Sequence, residues 1–383
     1  MKAPFARRCL WLGWLFLLVA LLVVRIVAYE LNLFHSTSSK SSNPVTFVDS
    51  AQPVSTKTAL EPVGRRYTNF MMGMIFPQWG KSFYGDQNAN WQVGLGQIYQ
   101  QTNAQWVAMT LPFRQASDSA TQVQVGSDTP SIAAFTEGIK AARRQGFKVA
   151  VMTMILVNAY NPWAGTIQQD THVEQQAWFD SYWQVVKPYA LVAQQEGVDQ
   201  FSIGNEYSAL EEEPDALWHQ LIQRVSHAFG RRIVYCMNWP SLQRTIPTWM
   251  HDSNLTAIGV SMYVPLTDAL QWLNPSSLTP LWHDRISTQL DAFAQQLKKP
   301  LFLSELGYQN SRYAGYDPWR YDVSMPPDPA EQAALYDAAM HNLFADSYIS
   351  GVFIWAWDVQ LYSPKDTLAA QVIDHWYSSH LRA

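Results

Sequence analysis

The sequence of 383 residues predicts a single (β/α)8 barrel, and three observations carry that prediction. Eight short apolar runs alternate along the chain with amphipathic stretches. None of the runs alternates strictly between apolar and polar residues, which is the pattern of strands that are buried on both faces. No G-x-G-x-x-G follows the first run, so the main signal of a dinucleotide-binding sheet is missing. A doubly wound open sheet remains the alternative architecture.

The elements follow from these patterns in chain order. Strands are predicted at residues 69–76, 104–111, 147–156, 200–204, 232–238, 255–263, 300–305 and 351–357. Helical patterns occupy residues 130–146, 175–197, 214–230, 286–299 and 328–347. The first of these helices ends at Gly146, and its predicted apolar face consists of Ile132, Phe135, Ile139 and Ala142. Strands joined in this way close into a barrel whose active site lies at the C-terminal ends of the strands.

The N-terminal 66 residues are predicted to lie outside the barrel. In residues 1–34, basic side chains precede an apolar run at 9–24 that extends past Arg25 toward the roughly 20 residues of a membrane span. No convincing cleavage site of small residues follows, so an uncleaved signal anchor is favoured over a removed signal peptide. The preceding positive charges place the barrel on the extracytoplasmic side. Residues 35–66, rich in Ser, Thr and Pro, indicate a tether, and residues 67–383 the barrel.

Composition excludes several classes of function. Charged residues make up only 15% of the chain, against about 25% in typical proteins. The formal charge of −5, without a long basic run after the N-terminus, indicates that nucleic acid is not a partner. A disulfide between Cys9 and Cys236 is not expected, because one lies in the N-terminal apolar run and the other in a predicted strand. The scattered histidines and the absence of H-E-x-x-H predict no catalytic metal, and we expect no cofactor. The absence of G-x-S-x-G argues against a serine hydrolase.

Two of the predicted strands end on a glutamate. Glu206 follows strand four in "QFSIGNEY", and Glu305 ends strand seven in "PLFLSELGYQ". Buried strands rarely end on an unpaired carboxylate, because its desolvation costs several kcal/mol. In a barrel both side chains would instead project into the mouth. A pair of glutamates there suits glycoside hydrolysis, in which one protonates the leaving oxygen and the other attacks the anomeric carbon. Taken singly, each glutamate is better explained by a salt bridge, and it is their joint occurrence on strands four and seven that favours catalysis.

Polar and aromatic residues near the strand ends complete the predicted cleft. We expect Asn205 to hold a sugar hydroxyl, Tyr263 to hydrogen-bond the nucleophile, and Trp355 and Trp357 to form an apolar floor. The loop after strand one carries Trp79 toward the rim of this cleft, where sugar stacking and loop packing are equally compatible with it. The loop after Glu305 carries five aromatics for which sugar stacking and loop packing are equally compatible: Tyr308, Tyr313, Tyr316, Trp319 and Tyr321.

Three consecutive glutamates, residues 211–213, precede Pro214 at the start of a predicted helix. Acidic side chains stabilise the N-terminus of a helix through its dipole. We therefore expect this role for the three glutamates rather than a metal site.

Over most of residues 67–383 the sequence resembles glycoside hydrolase family 113. The resemblance is carried in order by "NPWAGTI" (161–167), "IGNEY" (203–207), "IVYCMNW" (233–239), "IGVSMYVPL" (258–266), "LFLSELGYQ" (301–309) and "GVFIWAWD" (351–358). That family belongs to clan A, whose retaining barrels carry glutamates on strands four and seven, and its known members are β-mannanases.

The resemblance implies a role for each matching residue. Glu206 falls on the acid/base position and Glu305 on the nucleophile. The remaining matches are to cleft positions: Asn238 and Trp239 on strand five, Tyr263 and Trp355 around the glycone site, and Trp163 in a motif that usually reads Trp-Arg-Gly.

Two departures from the family pattern bear on specificity more than on chemistry. Ala164 stands in place of the arginine of that motif, and strand three ends in "MTMILVN" where the family has a Lys-Pro-His type ending. Both changes remove polar groups from the cleft.

Together these features predict a membrane-anchored, retaining glycoside hydrolase that cleaves a β-linked polysaccharide, mannan-like or an exopolysaccharide. The two carboxyl groups of a retaining enzyme lie about 5–5.5 Å apart. The alternative, from another class, is a non-catalytic carbohydrate-binding barrel of an envelope or exopolysaccharide system. The altered end of strand three motivates it, and a fold alone does not establish activity.

Overall fold

Eight parallel strands close into a barrel in the computed structural model, which describes residues 70–80, 82–85, 89–158, 163–321 and 325–381. The strands are β1 Met71–Ile75, β2 Trp106–Gln115, β3 Lys148–Val157, β4 Gln200–Asn205, β5 Arg232–Asn238, β6 Leu255–Met262, β7 Leu301–Leu306 and β8 Ile349–Ile354. Each strand pairs in parallel with the next, and β1 pairs with both β2 and β8, which closes the sheet. The predicted (β/α)8 barrel is confirmed.

Helices cover the outside of the barrel. They are α1 Ala89–Thr102, α2 Ile132–Arg144, α3 His172–Gln195, α4 Asp215–Ala228, α5 Pro275–Trp282, α6 Thr288–Leu297, α7 Pro329–Ala345 and α8 Leu368–Leu381. A single π-helical turn, His283–Ser287, joins α5 to α6, and β5 is followed by two 3₁₀ helices, Trp239–Gln243 and Thr248–His251. The sequence patterns predicted α2, α3, α4, α6 and α7 but missed α1, α5 and α8.

The apolar residues form two layers, because successive side chains of a strand point to opposite faces. The larger cluster fills the space between strands and helices, and a smaller one fills the barrel interior. In the interior, Trp106 of β2 meets Phe353 of β8 edge-on, with ring centroids 6.2 Å apart. The interior is therefore packed rather than open, and a site is expected at its C-terminal end.

Helix α2 shows where the predicted apolar face was wrong. Phe135, Ile139 and Ala142 are buried, but Ile132 is 39% exposed. Ile132 is the first helical residue, directly after the Ser131 cap, whose hydroxyl accepts a hydrogen bond from the Ala134 N–H. The residue that opens the helix thus remains in contact with solvent.

Strands β2 and β3 make one side of the mouth taller than the rest. They remain paired up to Gln115 and Val157, whereas the last pair between β1 and β2 joins Ile75 to Ala108. A two-residue strand, Val123–Gln124, pairs antiparallel with the end of β2. Leu156, near the end of β3, is consequently raised to the level of the cleft.

The predicted anchor (1–34) and tether (35–66) lie outside the described residues and remain predictions. Among the helices that the structure describes, none has the length and apolar character to cross a bilayer.

Candidate active site

Glu206 directly follows the last residue of β4 and occupies the left-handed backbone region, with φ of +59°. Non-glycine residues seldom adopt this region, so the surroundings must hold it there. The Glu206 N–H donates to the Cys236 carbonyl at 2.8 Å, and the Glu206 carbonyl accepts from the Ser208 N–H at 2.9 Å. The resulting turn directs the carboxyl group into the mouth of the barrel, where Trp163 Nε1 donates to Glu206 Oε2 at 2.8 Å.

Glu305 lies in β7 and is only 5% exposed. Each of its oxygens accepts a hydrogen bond: Oε1 from Asn205 Nδ2 at 3.1 Å and Oε2 from the Tyr263 hydroxyl at 2.7 Å. The structure thus places Asn205 against Glu305 rather than only beside Glu206. Two donors on a buried carboxylate stabilise its charged form.

The two glutamates influence each other electrostatically. Burial raises the pKa of Glu206, and hydrogen bonds from Trp163 and Ser261 partly offset that rise. Burial and the charge of Glu206 raise the pKa of Glu305 to about 8, against the hydrogen bonds from Tyr263 and Asn205. Because two like charges in one buried site disfavour double ionisation, the pair retains one proton at neutral pH.

Both glutamates open onto one cleft of about 580 Å³, a volume suited to a small ligand. Its described lining residues are Leu156, Trp163, Glu206, Asn238, Trp239, Pro240, Tyr263, Glu305, Trp319 and Tyr321. Trp239, at the end of β5, faces Trp319 of the β7–α7 segment, with centroids 6.3 Å apart and planes tilted by 32°. Rings in such an arrangement offer apolar faces on which sugar rings can stack.

Asn238 and Trp355 lie in and beside this cleft. Asn238 Oδ1 accepts the Trp239 N–H at 2.8 Å, which caps the following 3₁₀ helix. Trp355 is 5% exposed and packs in one cluster with Tyr263 and Tyr362. Its ring is therefore almost entirely covered by protein and presents no open face to the cleft.

Three aromatics that the sequence named as candidates for the cleft lie elsewhere. Trp357 is fully buried in the outer core, because β8 ends at Ile354 and the Trp357 N–H then bonds the Ile75 carbonyl at 2.8 Å. Tyr308 is also in the core, where its hydroxyl accepts from Trp282 Nε1 at 3.0 Å. Trp79 is 36% exposed but is not among the described lining residues.

Trp319 and Tyr321, two of the five loop aromatics named from the sequence, line the cleft. They belong to the aromatic-rich loop after Glu305, in which the choice between stacking and packing was open. The only sequence signal for these cleft residues was the high aromatic content of the loop. The structure shows that its aromatics have different positions: Trp319 and Tyr321 line the cleft, while Tyr308 lies in the core. No group of three or more His, Cys, Asp or Glu in the described part of the chain could hold a metal ion.

An eight-stranded barrel with glutamates at the C-terminal ends of β4 and β7, in a cleft lined by aromatic rings, defines a glycoside hydrolase. The model of Glycoside Hydrolase Family 113 matches residues 78–378, and the chain belongs to that family. No curated protein shows significant similarity to the chain.

Solved structures of three glycoside hydrolases share the fold. A family 113 β-mannanase from Alicyclobacillus acidocaldarius is 22% identical, with a TM-score of 0.71 over 82% of this chain and 98% of that one. A second family 113 β-1,4-mannanase is 22% identical, with a TM-score of 0.70 over 81% and 99%. A family 5 mannosidase from Rhizomucor miehei is 11% identical, with a TM-score of 0.55 over 83% and 95%. At these identities the likeness shows the fold alone.

Proposed function

We propose that the chain is a retaining glycoside hydrolase that cleaves β-linked mannan. The observation that carries the proposal is the shared cleft, in which Glu305 is held by two donors and Glu206 by an indole N–H. Family membership and the two structurally similar β-mannanases support the choice of substrate.

In this mechanism Glu305 is the nucleophile. Its two donors favour the carboxylate, so we assign the proton of the pair to Glu206. Glu305 attacks the anomeric carbon while Glu206 protonates the leaving oxygen, and a covalent glycosyl-enzyme forms. Glu206, now a carboxylate, accepts a proton from water as the water attacks the same carbon. Two inversions give net retention, and the mechanism requires carboxyl groups about 5–5.5 Å apart.

Asn205 prepares the site for a sugar hydroxyl. Its Nδ2 is committed to Glu305, while its buried Oδ1 has no hydrogen-bond partner among the described residues. Buried polar atoms in native proteins are nearly always satisfied. We infer that Oδ1 accepts a hydrogen bond from the hydroxyl next to the anomeric carbon, an interaction that strengthens in the transition state.

Product stereochemistry tests the proposal. The purified enzyme is incubated with β-1,4-mannan, β-glucan and a bacterial exopolysaccharide, and NMR records the anomer that is released first. We expect mannan to be hydrolysed with the β-anomer first, and Glu305→Ala to abolish hydrolysis while sugar binding persists. Release of the α-anomer would overturn retention. Binding without hydrolysis of any polymer would instead favour the carbohydrate-binding alternative.

We also propose that residues 1–34 anchor the enzyme in a membrane, with the barrel on the extracytoplasmic side. The support is the sequence pattern of basic residues, apolar run and polar tether. We expect the full chain to sediment with membranes and a chain lacking residues 1–34 to be released. Equal fractionation of the two would exclude the anchor.

A further inference from the structure

Glu211 does not have the role that its sequence context predicted. Helix α4 begins at Asp215, and Glu211 lies earlier, in the 3₁₀ helix Leu210–Glu212. It is only 3% exposed, whereas the side chain of its neighbour Glu212 is 73% exposed. A buried carboxylate is costly unless its oxygens are hydrogen-bonded, so its surroundings merit a functional explanation.

Both oxygens of Glu211 are satisfied by side chains of the β5 region. The Tyr235 hydroxyl donates to Oε1 at 2.8 Å, and Ser241 Oγ donates to Oε2 at 2.7 Å. The guanidinium of Arg244 is directed elsewhere, to the Ser208 carbonyl at 3.0 Å and to Glu212 at 3.5 Å. Glu211 therefore acts through Tyr235 and Ser241 rather than through a direct ion pair.

The Tyr235 hydroxyl connects Glu211 to the turn that carries Glu206. This hydroxyl accepts a hydrogen bond from the Tyr207 N–H at 3.2 Å. A hydroxyl has one proton, and because that proton points at Glu211, a lone pair is left facing Tyr207. The Tyr207 N–H belongs to the peptide unit that begins with the Glu206 carbonyl. Glu211 thus orients the Tyr235 hydroxyl, and this hydroxyl in turn holds the peptide between Glu206 and Tyr207.

We propose that Glu211 is a positioning residue for Glu206, acting through the Tyr235 hydroxyl on the left-handed turn that presents the acid/base carboxyl group to the substrate. This inference rests on the role given to Glu206 above. Displacements of about 1 Å in a reacting group cost up to roughly 100-fold in rate, so a device that holds this turn has a measurable effect.

The charge of Glu211 adds a second effect. Burial raises the pKa of Glu211 to about 7; hydrogen bonds from Ser241 and Tyr235 and the charge of Arg244 lower it, and Glu206 raises it. Above that pH, a like charge near Glu206 favours the protonated acid. The titratable groups that face either carboxyl are Glu305, Tyr263, Tyr321, Tyr235, Cys236, Glu212 and Arg244.

An NMR titration tests the electrostatic effect without any substrate. Carboxyl-¹³C glutamate is incorporated into wild type, Glu211→Gln and the matched control Glu212→Gln, and a Glu206→Gln sample assigns the Glu206 signal. We expect Glu206 to lose its proton at lower pH in Glu211→Gln and at the wild-type pH in Glu212→Gln. Identical titrations of Glu206 in all three proteins would overturn this effect.

Leaving-group dependence tests positioning. A 2,4-dinitrophenol leaving group needs little protonation, whereas a sugar needs the acid. We expect Glu211→Leu and Tyr235→Phe to lower kcat/KM about tenfold on mannooligosaccharides and less than threefold on 2,4-dinitrophenyl β-mannobioside. Glu211→Gln, which keeps an acceptor for Tyr235, should lose less than Glu211→Leu. Equal losses on the two substrates would show a merely structural role and overturn the proposal.

The two proposals fail separately. If the wild type hydrolyses neither substrate, the proposed mannanase function is wrong, while the NMR titration still decides whether Glu211 acts on Glu206. Thermal melts of every variant identify any that is unfolded, and the isosteric Glu211→Gln carries the test if Glu211→Leu does not fold.

Discussion

Glu206 shows how much of a site is decided within three consecutive residues. Three hydrogen bonds hold this turn: Glu206 N–H to Cys236, Ser208 N–H to the Glu206 carbonyl, and Tyr207 N–H to Tyr235. Left-handed backbone costs of order 1–3 kcal/mol at such residues and persists where the surroundings over-determine it. The left-handed backbone of Glu206 is therefore stabilised by hydrogen bonds to Cys236 and Tyr235 of β5 as well as by the bond within its own turn.

Removing the carboxyl group of Glu206 should leave a characteristic chemical signature. We expect Glu206→Ala to lower activity on mannooligosaccharides by about 10²–10⁴-fold, because protonation of the leaving sugar is lost. Azide should restore turnover of 2,4-dinitrophenyl β-mannobioside and yield the β-glycosyl azide, since the small anion attacks the intermediate without a general base. Product NMR measures this, with Glu305→Ala as the comparison. An α-azide from Glu206→Ala would reverse the two assignments.

At the residue scale, the sequence could predict which side chains end the strands but not where every one of them points. Glu206, Glu305 and Tyr263 follow from the strand count, and the structure places all three at the cleft. The position of Trp357 could not be predicted in this way. Side chains alternate between the two faces only within a strand, and β8 ends at Ile354. The same applies to Tyr308, two residues beyond the end of β7.

At the scale of elements, α1 shows why some helices were missed. Its sequence contains Gly94 and Gly96, and each glycine in a helix interior costs up to about 1 kcal/mol relative to alanine. Gly94 is needed for packing, because a Cβ there would lie 2.3 Å from Phe76 Cε1. Close packing against Phe76 thus requires a glycine in the helix, although glycine lowers helix propensity. The sequence of the helix alone does not reveal this requirement.

The β7–α7 segment supplies one wall of the cleft, and its contribution is measurable. We expect Trp319→Ala to raise KM for mannooligosaccharides about three- to tenfold with little change in kcat, since loss of one aromatic contact costs about 0.5–1.5 kcal/mol. Tyr99→Ala removes an exposed aromatic of α1 and serves as the control. Steady-state kinetics decide the matter: a loss confined to kcat would place Trp319 at the reacting bond instead of a binding surface.

At the scale of the whole molecule, the barrel was predictable because its strands are mostly buried on both faces and therefore mainly apolar. Closure and strand order followed from counting eight such runs. The cleft was less predictable, because its shape depends on loops such as the one that brings Trp319 to Trp239 across the mouth. That contact joins residues after β5 and β7, and no pattern within either segment specifies it.

The ionisation of the catalytic pair should make the folding stability of the whole molecule depend on pH. Burial and the charge of Glu206 raise the pKa of Glu305 to about 8 in the folded state, above an ordinary value near 4.3, and in this pair that is the pH at which the last shared proton is lost. Between these values the folded state binds more protons than the unfolded state, so stability falls as pH rises from about 4.5 to 8. Glu305→Gln removes the like charge from the pair, so its stability should depend less on pH, although the buried Glu206 remains. We expect its Tm to exceed that of wild type at pH 8, with each kcal/mol of extra stability adding about 2–4 °C.

Calorimetry at pH 5 and pH 8 measures this difference. The gap between Glu305→Gln and wild type should narrow at pH 5, and the exposed Glu212→Gln should follow wild type at both pH values. A gap that does not change with pH would mean that Glu305 titrates alike in the folded and unfolded chains.

The cleft is poor in charge, and this has a consequence for the polymers that the enzyme can meet. Among its described lining residues, only Glu206 and Glu305 can carry a charge, and both would be negative. Association with a neutral glycan should therefore be nearly independent of ionic strength, because no long-range attraction is available for salt to screen. A uronic acid polymer would meet repulsion at the point of cleavage. We expect kcat/KM on neutral mannan to stay within about twofold from 10 mM to 500 mM salt. In a mixed matrix, electrostatic repulsion in the cleft would then distinguish acidic glycans from neutral ones.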